Sequence, residues 1–176
     1  IRTPMGGGRG YGPTHSQTLD KFIVGIDNIK VIALNSFIDP KLIYDNIHRN
    51  EMHPILVVEN KLDYGQFVGS QKLDFYSIKQ STELYPIVLC SPISENPLIT
   101  IVTYGGISSN VLDALHGIFQ FTGLIPELII LSKISPLDIE PIIESVKITR
   151  RIITIEEGSK EFGIGAEIIA QTVERL

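Results

Sequence analysis

The chain has 176 residues, of which 43% are hydrophobic and 20% charged, and its formal net charge is −5. This composition excludes disorder for the chain as a whole, and an acidic balance without a basic stripe argues against a nucleic-acid binder. The single cysteine, Cys90, permits no internal disulfide, which fits a reducing compartment such as the cytoplasm, and no apolar run approaches the roughly 20 residues of a membrane-spanning helix.

The amino-terminal third predicts a glycine-rich loop followed by alternating helices and strands. The run MGGGRGYG (5–12) is too rich in glycine for regular structure and predicts a loop. Thr14 and Gln17 have the spacing of a capping box, which predicts a helix to about Val24. The next expected elements are a strand, a helix opened by Asp39-Pro40 and a second strand: Lys30–Leu34, 40 to about 50, and Ile55–Val58.

Residues 61–97 lack a clear period. Glycines and prolines interrupt this stretch, and only Tyr85–Cys90 resembles a strand. We expect an inter-domain linker over 66–97, between a first domain at 1–65 and a second at 98–176. Because the chain starts with Ile1 and no secretory signal is visible, we also expect a piece of a longer polypeptide.

Beyond Pro97, strands and helices alternate with short connections. The expected order is strand Leu98–Tyr104, a helix from Ser108 or Ser109 to about Phe121, strand Glu127–Leu131, a helix from Ser135-Pro136 to about Lys147, strand Arg151–Ile155 and helix Ala166–Arg175. This order predicts an α/β fold, with parallel-rich sheets in three layers and right-handed crossovers.

Ligands in such folds gather beyond the carboxyl ends of the strands, here the loops Gly105–Ser109, Ser132–Ser135 and Glu156–Gly165. The last loop precedes a helix and could offer amides to an anion, but it carries three carboxylates and lacks the third glycine of the dinucleotide fingerprint. A tight turn is the favoured interpretation. Glu156 and Glu157 are adjacent and would point to opposite faces of a strand, so they are not expected to act as a dyad.

His15 is the sharpest single candidate. It follows the glycine loop at the first turn of the expected helix, whose positive end would keep the imidazole neutral and suited to proton transfer. The alternative is a structural residue at a helix end. The other histidines, His48, His53 and His116, are expected on solvated or packed faces. No pair has metal-ligand spacing and one cysteine cannot form a zinc site, so no metal site is predicted.

Several ordered motifs resemble one enzyme family. The runs GGGRGYGPTHSQ (6–17), DNIKVIALNSFIDPKLI (27–43) and PILVVENKLDYG (54–65) resemble the second half of the pyrimidine-binding domain in beta subunits of pyruvate and branched-chain 2-oxoacid dehydrogenases. The runs TIVTYGGISSNVLDAL (100–115), SPLDIEPIIESV (135–146) and RIITIEEGSKEFGIGAEI (151–168) resemble the transketolase-like C-terminal domain of the same family. The resemblance covers nearly the whole chain except about 66–97.

The resemblance implies an oxidoreductase that uses thiamine diphosphate and magnesium to decarboxylate a 2-oxoacid and pass the acyl group to a lipoyl arm. It implies an alpha subunit, a second beta subunit and a lipoyl acyltransferase core as partners, in the cytoplasm or the mitochondrial matrix. His15 matches the family's HSQ histidine, which implies a catalytic role in orienting the acyl group and managing a proton. Ser16 and Gln17 are then supporting residues.

The departures from the family pattern limit what this chain is expected to do alone. The glutamate that activates the cofactor, and the sites for magnesium and diphosphate, belong to parts that this chain does not carry. No cofactor-binding residue is therefore assigned, and the chain by itself is expected to be inactive. Many relatives carry an acidic residue and an arginine where Ile130 and Ser132 stand, and the segment 45–50 differs enough that no monovalent-cation site is carried over.

Two alternatives remain at this point. The chain could belong to a transketolase or a deoxyxylulose phosphate synthase, which share these domains. It could also act as a dimerisation or core-docking module without catalysis of its own, with Ile129, Ile130 and Ile153 sealing an interface.

Overall fold

Two β-sheets and four α-helices make up the computed structural model, which describes residues 1–176. In chain order the elements are β1 (Arg2–Met5), β2 (Lys30–Ala33), α1 (Pro40–Asn50), β3 (Ile55–Asn60), β4 (Tyr76–Gln80), β5 (Val88–Pro92), β6 (Ile99–Tyr104), α2 (Ser108–Thr122), β7 (Pro126–Leu131), β8 (Lys133–Ser135), α3 (Glu140–Thr149), β9 (Ile152–Ile155) and α4 (Ile164–Arg175). None of these helices is long and apolar enough to cross a membrane.

Each sheet has a parallel part extended by antiparallel strands. The first sheet has the order β1-β3-β2-β8, in which β1, β3 and β2 are parallel and β8 is antiparallel to β2. The second has the order β4-β5-β7-β6-β9, in which β7, β6 and β9 are parallel and β5 and β4 are antiparallel. The predicted α/β class and the parallel centre of each sheet are confirmed.

The central strands are continuous apolar runs because both of their faces are covered. Two apolar clusters form the core, and each contains residues from both halves of the chain. One joins Val31 and Val58 to Val102, while the other joins Ile32 to Ile101. In addition β8 pairs with β2, so the two halves of the chain share one sheet as well as their core.

Several predicted elements lie close to where the sequence placed them. Helix α1 begins as expected, with the Asp39 side chain accepting a hydrogen bond from the Lys41 N–H at 2.9 Å and Pro40 at its first position. Helix α3 begins at Glu140 and not at Ser135, because Ser135 is paired with Val31 in β8 and the proline near the helix start is Pro141.

The interval predicted as a linker, 66–97, contains two strands. The strand expected at Tyr85 begins at Val88 as β5, and β4 was not predicted. The β4 sequence YSIKQ is polar, and it forms a strand because it pairs along its whole length with β5. Residues 66–75 have no helix or strand, and they separate the amino-terminal part from the second sheet.

The helix predicted from Thr14 to Val24 is wrong, and only Asp20–Phe22 form a short 3-10 turn. A helix there needs a hydrogen bond from the Leu19 N–H to the His15 carbonyl. The Leu19 N–H instead points to the Met5 sulfur, and the His15 carbonyl accepts from Arg9. Contacts with the glycine loop therefore replace the helical bonds, and no helix end acts on His15.

The interface proposed for Ile129, Ile130 and Ile153 is also corrected. Ile129 and Ile130 have 0% exposure, because both faces of β7 are covered inside the molecule. They cannot seal an interface without unfolding the core. Ile153 alone of the three remains exposed.

Candidate functional site

The segment that carries His15 begins at the carboxyl end of β1, and its last part folds back beside its first residues. The Gly6 N–H donates to the Gln17 carbonyl at 3.2 Å, which joins the two ends of the glycine-rich loop. The Arg9 guanidinium donates to the Gly6 carbonyl at 3.1 Å and also to the His15 carbonyl. Backbone carbonyls bound by one arginine therefore set the path of the loop in place of a helix.

His15 lies exposed on the wall of a cavity of about 350 Å³. Most of the residues that line this cavity are polar or cationic, and a minority are apolar: Thr3, Pro4, Met5, Arg9, Tyr11, Thr14, His15, Gln17, Leu19 and Lys61. Arg9 and Lys61 are cationic, and no carboxylate lines the cavity. An accessible imidazole in such surroundings can exchange a proton with a bound ligand and favours an anionic one.

The two residues predicted to support His15 have different positions. Gln17 lines the cavity with His15, whereas Ser16 does not, and its hydroxyl oxygen is buried without a hydrogen-bond partner. All three belong to a turn and its continuation. Their assignment as catalytic and supporting residues stays a prediction, and it now concerns residues of a turn and not of a helix end.

Behind the cavity, Glu59 holds β1, α1 and β3 together at the carboxyl end of β3. Its carboxylate accepts two hydrogen bonds from Arg2, at 2.7 and 3.0 Å, and one each from the hydroxyls of Tyr44 and Tyr64. Burial opposes ionisation of Glu59, but the hydrogen bonds from Arg2 and the two tyrosines more than offset it and lower the pKa to about 2. This cluster fixes the strand from which the candidate segment departs.

A second buried cluster joins the candidate segment to the second sheet. The Tyr104 hydroxyl, at the end of β6, lies 2.8 Å from a carboxylate oxygen of Asp20 and 3.0 Å from one of Glu156. Burial and the neighbouring Asp20 carboxylate raise the pKa of Tyr104 far above its usual value, so the group is a neutral donor.

Glu156 also occupies the backbone amides at the start of α4, where the sequence left an anion site as the less favoured alternative to a tight turn. Its carboxylate accepts hydrogen bonds from the N–H groups of Ile164 and Gly165, at 3.0 and 3.3 Å. A Cβ atom at Gly163 would lie 2.1 Å from a Glu156 oxygen, so the glycine permits this close approach. The helix start is thus capped by the chain's own carboxylate, which supports the prediction of a turn over a phosphate loop. Glu156 and Glu157 both follow the end of β9 and have different partners, the N–H of Ile164 and the N–H of Gly7.

The remaining histidines lie away from this cavity. His48 and His53 are exposed, and His116 is exposed on α2 with a ring nitrogen 2.8 Å from the Gln120 amide. No group of three or more His, Cys, Asp or Glu side chains is arranged to hold a metal ion. The sequence analysis did not predict Arg9, Lys61, Asp20 or Tyr104 as residues of the site. Of these four, only Arg9 had a signal in the sequence, since it is the one charged residue within the glycine-rich run 5–12.

The comparisons with known proteins agree with this architecture. The family described as "Transketolase, C-terminal domain" matches residues 90–176. The fold resembles a solved structure described as "Split gene transketolase, inactive beta4 tetramer", with a TM-score of 0.68 and 19% identity over 99% of this chain and 53% of that one. A transketolase from Leishmania mexicana has a TM-score of 0.55 and 13% identity over 94% of this chain and 28% of that one. At these identities the likeness supports the fold alone.

Sequence relatives extend the match over the whole chain. The pyruvate dehydrogenase E1 component subunit beta of Porphyra purpurea is 34% identical over 176 residues, which is 100% of this chain and 50% of that protein. The mitochondrial subunit of Dictyostelium discoideum is 33% identical over 98% of this chain and 47% of its own length. The subunit of Rickettsia bellii is 34% identical over 97% of this chain and 49% of its own length.

The chain therefore spans about half the length of the curated relatives it matches. Its carboxyl-terminal part corresponds to a transketolase C-terminal domain, and its amino-terminal part continues the match to the same subunits. Over its whole length the chain is therefore similar to about half of the pyruvate dehydrogenase E1 beta subunits, and its residues 90–176 match the transketolase C-terminal domain family.

Proposed function

We propose that the full-length protein is the beta subunit of a thiamine diphosphate-dependent 2-oxoacid dehydrogenase of the pyruvate or branched-chain type. The reaction is the oxidative decarboxylation of a 2-oxoacid with transfer of the acyl group to a lipoyl arm. The observation that carries the proposal is the position of His15, exposed on a cationic cavity in a chain that matches pyruvate dehydrogenase beta subunits throughout.

The residues of this chain have distinct parts in the proposal. Arg9 and Lys61 make the cavity positive, which favours the carboxylate of a 2-oxoacid. The His15 imidazole orients the reacting acyl group. When the acyl carbon bonds to one lipoyl sulfur and the disulfide breaks, His15 supplies the proton that the other sulfur takes up. Ser16 and Gln17 support the turn from which His15 projects.

The residues of this chain do not form a complete site for the cofactor. Thiamine diphosphate supplies the group that stabilises negative charge on the substrate carbon, and its diphosphate requires magnesium. The chain has no cluster of carboxylates or histidines for a metal ion, and the His15 cavity has no carboxylate to activate the pyrimidine. These residues do not fit the cofactor as a whole, so its binding belongs in the proposal to the alpha subunit and to the rest of the beta subunit.

The assembly and location follow from the same proposal. We expect an alpha subunit and a second beta subunit in an α2β2 tetramer, with a lipoyl acyltransferase core as the acceptor of the acyl group. The compartment is then the cytoplasm or the mitochondrial matrix; the Dictyostelium relative is named as mitochondrial.

A second candidate is a transketolase, whose fold this chain shares over 99% of its length; the shared fold by itself does not distinguish the two activities. Such an enzyme must hold sugar phosphates, whereas the loop 156–161 carries three carboxylates and Glu156 occupies the amides of α4. The structure gives the docking-module alternative less support, because Ile129 and Ile130 are buried.

The test is to produce the full-length subunit together with the alpha subunit from the same source. We expect release of carbon dioxide from pyruvate or 2-oxoisovalerate, and none from the 176-residue chain alone. Transfer of two-carbon units between sugar phosphates without decarboxylation would instead establish the second candidate. Carbon dioxide released by the isolated chain above a heat-killed control would contradict the assignment of cofactor binding to other parts.

A further inference from the structure

The segment that carries His15 is attached to the loop 156–161 at both of its ends. At the first end, the Gly7 N–H donates to the Glu157 carboxylate. At the second end, Asp20 accepts from the Tyr104 hydroxyl, which also lies 3.0 Å from Glu156. The next residue, Lys21, donates to the Ser159 hydroxyl and to the Glu161 carbonyl.

These attachments matter because the segment has no sheet or helix to hold it. Between Gly7 and Leu19 there is no regular structure, and the bonds made by Arg9 and by Gly6 are internal to the segment. Internal bonds fix the shape of the loop but not its place on the molecule. That place is set by the contacts of its ends with other elements.

Both attachment points are closely packed. A Cβ atom at Gly6 would lie 2.8 Å from the Asn60 amide nitrogen and 3.1 Å from a Glu157 oxygen, so the loop approaches as near as glycine permits. At the other end Asp20 has 1% exposure, and water cannot replace Tyr104 as its donor. Neither end can shift freely without losing a hydrogen bond.

We propose that Tyr104 and Glu157 are positioning residues that fasten the two ends of the His15 segment to the transketolase C-terminal domain. Neither residue lines the His15 cavity, so both act through the backbone of the segment. The acidic loop 156–161 then serves as a clamp, and the C-terminal domain takes part in placing the imidazole. The catalytic consequence rests on the proposed function of His15, whereas the attachment does not.

The test uses Tyr104→Phe, Glu157→Ala and the double variant in the full-length subunit assembled with its partner subunit. Tyr85→Phe is the matched control for Tyr104, because Tyr85 has the same 6% exposure and donates to the Glu51 carboxylate at 2.9 Å, away from this cavity. Glu174→Ala is the control for Glu157, since it removes an exposed carboxylate of α4 that lies outside the loop 156–161.

The first measurement is hydrogen exchange of the backbone amides of Gly6 and Leu19, which donate to the Gln17 carbonyl and the Met5 sulfur at the two ends of the segment. Loss of a hydrogen bond to a charged acceptor should speed their exchange about tenfold or more in each single variant, and further in the double variant. The two controls should leave this segment unchanged. Exchange at Gly6 and Leu19 that matches the controls would overturn the proposal, and Glu157→Ala decides this alone if Tyr104→Phe fails to fold.

The second measurement separates kcat from KM for the 2-oxoacid. Misplacement of a catalytic group costs up to about 10²-fold in rate, so kcat should fall about 10- to 100-fold while KM changes little. Loss of activity only in proportion to the folded fraction, as in Tyr85→Phe, would overturn the positioning role, as would faster exchange with unchanged kcat. If the unaltered enzyme decarboxylates no 2-oxoacid, the proposed function fails, and the exchange result still decides the attachment.

Discussion

The backbone N–H of Gly6 lies 3.2 Å from the carbonyl oxygen of Gln17, so the glycine-rich loop is closed by main-chain atoms at its two ends. The Arg9 side chain binds two further carbonyls inside this loop. No side chain of the HSQ motif takes part in these bonds. The loop can therefore keep its shape when the imidazole of His15 is removed.

From this we expect His15→Ala to lower turnover of the assembled enzyme by about 10²–10⁴-fold, the usual contribution of a group that transfers a proton. The melting temperature should be unchanged, because the side chain is exposed and the carbonyl bound by Arg9 remains. The loss should be greatest for acyl transfer to the lipoyl arm and smaller with an artificial electron acceptor. His48→Ala, an exposed histidine on α1, is the control; near-full complex activity in His15→Ala would make His15 a spectator.

The Glu59 cluster predicts a specific dependence of stability on pH. A carboxyl whose pKa is lowered to about 2 in the folded state, from a usual value of 4.5, stabilises the fold fully above pH 4.5 and loses this contribution as the pH falls toward 2. We expect Glu59→Gln to lower the free energy of unfolding at pH 7 by on the order of 2 kcal/mol. Its stability should also change less than that of the unaltered protein between pH 4.5 and 2.

Chemical denaturation at several pH values measures this difference. Glu144→Gln removes an exposed carboxylate of α3 and should keep the dependence of the unaltered protein. Parallel curves for the Glu59 variant and the unaltered protein below pH 4.5 would show that the cluster does not hold an ionised carboxylate.

Two glycines predict stability changes of opposite sign. A Cβ atom at Gly106 would lie 2.4 Å from the Cβ of Asn60, where the ends of β3 and β6 meet, so Gly106→Ala should destabilise the protein by about 1–3 kcal/mol. Gly117 lies inside α2 with open space around it, so Gly117→Ala should stabilise it by up to about 1 kcal/mol. Thermal unfolding of both variants is the measurement, and a Gly106→Ala variant as stable as the unaltered protein would contradict the packing described at Gly106.

Cys90 should be unreactive in the folded protein. Burial, and then the nearby Glu127 carboxylate, raise the pKa of its thiol to about 12, and reagents attack the thiolate. We expect labelling by a thiol reagent at pH 8 only as fast as the protein unfolds, and immediate labelling in denaturant. Rapid stoichiometric labelling under native conditions would mean that β5 is open to solvent.

Limited proteolysis should cut first within residues 66–75. This stretch has no helix or strand, and Phe67 and Phe75 are 84% and 79% exposed. The paired strands β4 and β5 should be protected, although the sequence alone assigned all of 66–97 to a linker. First cleavage within 76–92, mapped by mass spectrometry, would favour that wider linker; cleavage within 100–174 would contradict both boundaries.

The sequence by itself determined the local elements whose signals are short-range. Asp39-Pro40 defines the start of α1, because capping depends on neighbours along the chain. The continuous apolar runs of β3, β6 and β7 indicate strands covered on both faces, although not by which elements. The motifs around His15 and in the C-terminal part also indicated the resemblance to pyruvate dehydrogenase beta subunits, which the relatives confirm.

Only the tertiary structure decided where non-local partners override those signals. The polar strand β4 exists because β5 pairs with it, and Ser135 is a strand residue because Val31 pairs with it. The expected helix after Thr14 is absent because Met5 and Arg9 take the N–H of Leu19 and the carbonyl of His15. A backbone group can form its hydrogen bond with a local or a distant partner, and the local sequence does not indicate which distant partner is available.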